Sequence, residues 1–258
     1  MNEGKKMYSE ERRNYINQLI KDQKQVKVLD LANRLKVSEV TIRKDLSEME
    51  KAGLLKRTFG GAIDLSLSVT DKPYKVKKSE FIEQKDQIAQ YAASFVKADM
   101  TIFLDAGSTT HCLIKYLKNI AGLKLVTIDL NIALKLLSDG AENVYFVGGK
   151  LSTKTNSSDS VNTVTELTKF NFDLSFIGCD TFSLKNFQTG SESKAKIKEV
   201  AFKNASLGVI LADSSKYKKS RFINFLAVDE VDYVVTDQGF KKFLVGQPQK
   251  LADKFLIA

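Results

Sequence analysis

From Met100 to Asp237 the chain alternates between two periods, and this constrains the fold more than any other feature of the sequence. The apolar runs "MTIFLD", "LKLVTID", "NVYFVGG", "FDLSFIGCD", "LGVILAD" and "VDYVVTD" read as strands. Between most of them lie helical stretches such as "TTHCLIKYLKNI", "NIALKLLSD" and "SKAKIKEVAFKNA". Strands alternating with helices imply βαβ units and a mostly parallel sheet. In such sheets ligands bind outside the C-terminal strand ends.

Polar residues gather at those ends. "LDAGSTT" closes the first strand and opens a helix, with Asp105, Gly107, Ser108, Thr109 and Thr110 in sequence. Free N–H groups at a new helix, beside hydroxyls and a glycine, suit an anion. The spacing alone fits an ordinary strand-to-helix turn with a capping serine equally well. Thr127, Asp129 and Asn131 close the second strand, and Gly148, Gly149 and Lys150 the third. Asp180 closes the fourth, Asp213 and Lys216 the fifth, and Asp237 the sixth. Six polar tips suggest one site assembled from many strands, with one or two of the aspartates serving as helix caps. His111 follows the glycine loop, but no partner acid is evident, so a structural or peripheral role is expected.

The net charge of +9 is unevenly spread. Residues 1–78 hold 18 Lys/Arg against 11 Asp/Glu, while residues 79–258 hold 22 against 20. A basic first part beside a nearly neutral remainder points to nucleic acid at one end.

The pattern there is more specific than the charge. "SEERRNYINQLIKDQ" spaces Tyr15, Ile16, Leu19 and Ile20 as a helix. "VKVLDLANRLKVS" puts Val28, Leu31, Ala32 and Leu35 on one side of a second, short helix. A turn at Lys36–Val37 follows, and Ser38 is placed to cap a third helix. On that helix Ile42, Leu46 and Met49 face inward. At about 100° per residue the opposite face carries Val40, Lys44, Ser47 and Lys51, flanked by Thr41 and Arg43. A helix, a tight turn and a helix with a basic outer face make a helix-turn-helix, whose second helix enters the major groove. Ser38, Val40, Thr41, Arg43 and Lys44 are its candidate DNA contacts. Gly53 ends the helix, and "LLKRTFGGAI" then reads as strand, Gly-Gly turn, strand: a wing whose Lys56 and Arg57 can hold phosphates. A basic three-helix bundle without DNA is the plain alternative.

"DLSLSVTDKPYKVKK", residues 64–78, has one of two prolines and no strong periodicity, and reads as a linker. "FIEQKDQIAQYAASFV" restarts helical spacing with Ile82, Ile88, Ala92 and Phe95. The expected division is a DNA-binding domain over 1–63, a linker over 64–78 and an effector-sensing, oligomerising domain over 79–258. With no run of 18 apolar residues, no membrane span is expected. "MNEGKKMYSEERRN" has no apolar core of a secretory signal. Two cysteines and one histidine give neither a disulfide framework nor a zinc site. A cytoplasmic protein without a cofactor is expected.

The 35-residue stretch "VLDLANRLKVSEVTIRKDLSEMEKAGLLKRTFGGA" resembles the N-terminal signature of the DeoR family of bacterial transcriptional repressors. "DAGSTT", "VGG", "IGCD", "ADSSKY" and "VVTD" are similar to its effector domain, so the likeness covers nearly the whole chain. It implies an α/β architecture: a small winged helix-turn-helix joined to a larger, mostly parallel α/β domain resembling ribose 5-phosphate isomerase. It also implies a phosphorylated sugar or related metabolite as effector, with Gly107, Ser108, Thr109 and Thr110 at the phosphate. Lys216 would then be its charge partner, with Asp105 and Asp180 on sugar hydroxyls, and Asn131 and Gly149 complete the candidate set. The chain departs from the family's usual residues at Lys44, Phe59, Ile128, Ser160, Thr181 and Phe187. Lysine at 44 keeps the charge but loses the bidentate fork. The phosphate end is kept and the sugar end altered.

Three functions compete: a metabolite-responsive DNA-binding repressor, an active sugar-phosphate isomerase or deaminase, and a constitutive DNA binder whose second domain only oligomerises. Glu192, Asp213 and Lys216 are the enzyme's candidate groups, but "FQTGSESK" reads as a polar loop, not a fixed catalytic strand end. The first function is preferred: a repressor of sugar-metabolism genes that binds operator DNA as a dimer or tetramer.

Overall fold

The computed structural model describes residues 8–23, 25–52, 54–58, 60–64 and 74–258. The chain divides into two compact units, Met1–Thr70 and Asp71–Ala258.

The first unit has helices α1 (Ser9–Gln23), α2 (Val28–Leu35) and α3 (Glu39–Lys51) and strands β1 (Gln25–Lys27), β2 (Leu55–Thr58) and β3 (Gly61–Asp64). Ile16 and Ile20 of α1 meet Leu31 of α2 and Ile42, Leu46 and Met49 of α3 in one core. These are the apolar positions the helical spacing selects. Lys36 takes the left-handed conformation (φ 51°) that makes the turn after α2, and its N–H bonds Ala32 O. Ser38 Oγ accepts from Thr41 N at 3.2 Å, capping α3. The wing strands β2 and β3 pair antiparallel, and β1, a strand the sequence reading lacks, adds to β3. Gly61 is required at that junction: a Cβ would lie 1.9 Å from Val26 O. Gly53, Phe59 and the side chain of Lys56 lie outside the described residues.

The second unit contains α4 (Tyr74–Ser79), α5 (Ile82–Ala93), β4 (Thr101–Leu104), α6 (Ser108–Leu117), β5 (Lys124–Thr127), α7 (Leu130–Ser138) and β6 (Val144–Phe146). There follow β7 (Leu151–Ser152), β8 (Ser157–Ser158), α8 (Val161–Leu167), β9 (Phe172–Gly178), β10 (Thr181–Phe182) and β11 (Asn186–Thr189). Then come α9 (Glu192–Lys203), β12 (Ala205–Leu211), β13 (Ile223–Ala227), β14 (Tyr233–Thr236) and β15 (Phe255–Ile257). Seven strands form one sheet in the order β15-β14-β12-β9-β4-β5-β6, with every pairing parallel. The six expected strands are all in it; β15 is the addition.

Both faces of the sheet are buried, and the strands show it with period two. Ile102, Leu104, Leu125, Phe176 and Val209 pack on one side with Ile88, Leu113 and Ile114. Phe103, Val126, Ile177 and Ile210 pack on the other with Leu167 and Ile197. After β4 the chain winds outward through β5 and β6; from β9 it winds the other way. The topology therefore reverses between β4 and β9, and the crevice outside their C-terminal ends is where such a sheet binds ligands.

Two expectations change. Residues 74–78, expected within the linker, belong to the helix Tyr74–Ser79 of the second unit; residues 65–73 lie outside the described residues. Ile82, placed on the helical stripe, is 58% exposed. The buried stripe of α5 starts one turn later at Lys85, whose ammonium donates to Lys77 O and Glu80 O and so ties α5 to α4.

Candidate functional site

A pocket opens at the reversal point. It is lined by Ala106, Gly107 and Ser108 after β4, by Asp180 after β9 and by Asp129 after β5. Thr155 and Ser157 of the β7–β8 hairpin, Thr189 at the end of β11, and Lys194 and Lys198 on α9 complete it, with Tyr74 and Lys77 on α4. Lys194 and Lys198 share a helix face because they are four residues apart.

Lys198 binds the reversal point together. Its ammonium donates to Asp105 Oδ2 and, at 2.9 Å, to Gly178 O, so α9 is pinned to the tips of β4 and β9. Gly178 N donates to the same Asp105 oxygen at 2.9 Å. Asp105 is thereby consumed by the framework. Lys77 Nζ donates to Asp180 Oδ1 at 3.0 Å, and Thr189 Oγ1 donates to Asp180 Oδ2 at 3.0 Å. Burial opposes the Asp180 charge, but Lys77 and Lys198 outweigh it and hold the carboxyl well below the usual carboxylate range. Burial pushes Asp129 up to about 6, against the pull of N–H groups at the start of α7. Those bonds, from Asn131 N at 2.8 Å and Ile132 N at 3.2 Å, all go to Oδ1.

The strand-tip reading brings Gly107, Ser108 and Asp180 to this pocket and leaves other expected residues outside its lining. Thr109 and Thr110 are buried in the first turn of α6. Gly107 has φ 160°, extended backbone open to any residue, and an added Cβ would meet nothing closer than Thr110 Oγ1 at 4.0 Å. Asn131 belongs to the first turn of α7. Gly149 is demanded by packing: a Cβ would strike Thr163 Oγ1 at 2.3 Å and Ser160 Oγ at 2.4 Å. Lys216, expected as the phosphate partner, sits in a 3-10 turn with its Nζ 3.8 Å from Asp213, outside the lining. The cations in the pocket's lining are Lys77, Lys194 and Lys198. Sequence reasoning missed them because α4 has no clear period and α9 was valued only as a crossover. The i,i+4 lysine pair in "SKAKIKEV" was the available signal. His111 is half-buried with its ring 6.0 Å from that of Tyr74; burial, then Lys78 and Lys135, lower its pKa.

The first unit presents a different surface. On α3, Val40 is 76% exposed, Arg43 and Lys44 are exposed, and Arg43 Nη2 pairs with Glu39 Oε2 at 3.0 Å. Thr41 Oγ1 and Ser38 Oγ lie 2.9 Å apart, both engaged at the cap. Arg57 is exposed on the wing, its N–H donating to Glu50 at 2.9 Å. Behind this face Arg12 grips buried Asp45 through two bonds, of 2.5 and 3.1 Å, and docks α1 on α3. Among the described residues no cluster of His, Cys, Asp and Glu could hold a metal ion, and no helix is long and apolar enough to cross a membrane.

Residues 12–66 match the DeoR-like helix-turn-helix domain, and residues 80–238 match the DeoR C terminal sensor domain. The chain is 30% identical over 232 residues to the HTH-type transcriptional regulator GlpR of Haloferax volcanii, covering 90% of this chain and 91% of the relative. It is 32% identical over 234 residues to the lactose phosphotransferase system repressor of Streptococcus mutans, covering 90% and 93%. Among solved structures, ribose 5-phosphate isomerase A of Methanocaldococcus jannaschii aligns with 54% of this chain and 55% of its own, at 19% identity and a TM-score of 0.39. That likeness is too slight to carry an argument.

Proposed function

The chain belongs to the DeoR family of transcriptional regulators, with a helix-turn-helix and a sensor domain, and from that premise we propose that it represses sugar-metabolism genes under the control of a phosphorylated sugar or related metabolite. One observation carries the effector class: Lys77, Lys194 and Lys198 converge with the N-terminal turn of α6 on one pocket at the sheet's reversal point. Ammonium groups and free helix N–H groups together suit an anion bearing several acceptor oxygens. Hydroxyls and carboxylates on the same walls suit a polyhydroxylated remainder. The pocket binds and does not turn over its ligand, since Lys198 and Asp105 neutralise each other and Lys77 is engaged by Asp180.

Residues 1–63 would read the operator through Ser38, Val40, Thr41, Arg43, Lys44, Lys56 and Arg57. Residues 79–258, joined through 64–78, would sense and oligomerise, as a dimer or tetramer matching paired half-sites. The cytoplasm is the compartment such a protein needs. Metabolite binding would shift operator affinity by its differential affinity for the DNA-competent arrangement. The test is a thermal-shift screen of sugar phosphates followed by operator titration with and without each hit. A ligand at 100 times its Kd adds about 2.7 kcal/mol of stability. A protein stabilised by no phosphorylated metabolite, with operator affinity unchanged by all of them, would refute the reading.

A further inference from the structure

Several polar side chains of the pocket are already engaged with one another. Thr155 and Ser157 hydroxyls pair with each other at 2.9 Å, Thr189 and Lys77 bond Asp180, and Lys198 bonds Asp105 and Gly178 O. Of the described buried side-chain atoms without a partner, two belong to this lining: the Tyr74 hydroxyl and Asp129 Oδ2. Asp129 is fully buried, and its other oxygen is occupied by α7. The phenol stands within the field of that carboxylate: burial and then Asp129 raise its pKa well above the ordinary value. A donor and a charged acceptor are thus left unmatched on the walls of one pocket, a cost that a ligand bonding both would relieve.

We propose that Tyr74 and Asp129 form a subsite for one hydroxyl group of the anionic ligand. This inference rests on the proposed effector class. A hydroxyl is the group that can both donate to Asp129 Oδ2 and accept from the Tyr74 O–H. A phosphate oxygen would accept from Tyr74 but face the carboxylate charge. An ammonium would answer Asp129 but lie in a pocket that already holds Lys77, Lys194 and Lys198. The subsite therefore reads the polyol end, while the loop after β4 and the lysines hold the anion.

The experiment measures Kd for the full chain with glucose 6-phosphate, fructose 6-phosphate and ribose 5-phosphate, each beside its mono-deoxy analogues, with inorganic phosphate as the anion alone. For the sugar phosphate that binds, removing one particular hydroxyl is expected to weaken binding about 10- to 100-fold. Tyr74→Phe and Asp129→Asn are each expected to collapse that ratio at that hydroxyl and at no other. If the parent ignores every deoxygenation, as it would were a water to complete the pair, the subsite is wrong while the effector class stands. The same holds if both variants keep the parent's ratio. If neither the sugars nor inorganic phosphate bind, the effector class fails and the subsite with it.

Discussion

The two units use the same residue types in opposite ways. On α3 the cations are exposed, and Arg43 pairs with a comparably exposed Glu39. In the sensor, Lys198, Asp105, Asp129 and Asp180 are drawn into the interior or its edge and tied by directional bonds. DNA brings a dense charge of its own and releases counterions when neutralised, so exposed cations suffice to hold it. A small metabolite offers few contacts, and each must be desolvated and aimed to count. The first unit does bury an ion pair, Arg12 with Asp45, but that pair sits behind the proposed reading face and docks α3 on α1.

The comparison breaks first at Lys198. Replacing it with Ala leaves Asp105 buried with its charge unpaired, and chemical denaturation should show the sensor destabilised by about 3–5 kcal/mol. A loss under about 1 kcal/mol would mean that this pair is as solvated as the Glu39–Arg43 pair, and the contrast would be void.

Asp129→Asn is the next largest. Asp129's folded pKa of about 6 lies above its ordinary 3.8, so its stabilising contribution is present below about pH 4 and lost as pH rises through 6. Asparagine keeps the cap on α7 through its amide oxygen and removes the buried charge. The variant should therefore be more stable than the parent at pH 7, by up to about 3 kcal/mol. The advantage should shrink steadily between pH 6 and pH 4 in parallel urea titrations. An advantage independent of pH would place the burial of that carboxylate in doubt.

Smallest in stability, though not in function, is Arg43→Ala. An exposed side chain on α3 should leave the melting curve almost unchanged, while discrimination at one operator base pair falls by about 1–3 kcal/mol. Arg57→Ala should instead weaken all sequences alike and lower the salt slope by about one unit. Identical salt titrations for parent and both variants would remove α3 and the wing from the DNA interface.

How much was legible follows from how each site is built. The proposed reading face is one helix, so a single period separates Ile42, Leu46 and Met49 from Val40, Arg43 and Lys44. The parallel sheet was legible for the same reason, strand by strand. The pocket spans Tyr74 to Lys198, and no local period links α4, the tip of β5 and the face of α9. Strand-tip logic reached Gly107, Ser108 and Asp180, because the end of a strand is a feature of sequence. It also selected Lys216 and Gly149, which lie outside the pocket's lining, Lys216 beside Asp213 and Gly149 packed against Ser160 and Thr163. Asp45 shows the converse: a charge among polar neighbours on α3 is buried because Arg12, a whole helix earlier, comes to meet it.

The knot at Lys198 has a consequence in time. The tips of β4 and β9 and the start of the glycine loop are held against α9 before any ligand arrives. The disorder of those segments is surrendered during folding and need not be surrendered again at capture. A metabolite bound at the proposed site would find those two strand tips already in place. The first event in sensing would then be limited by collision and release, with the response to a changing metabolite pool set by the ligand's dissociation rate.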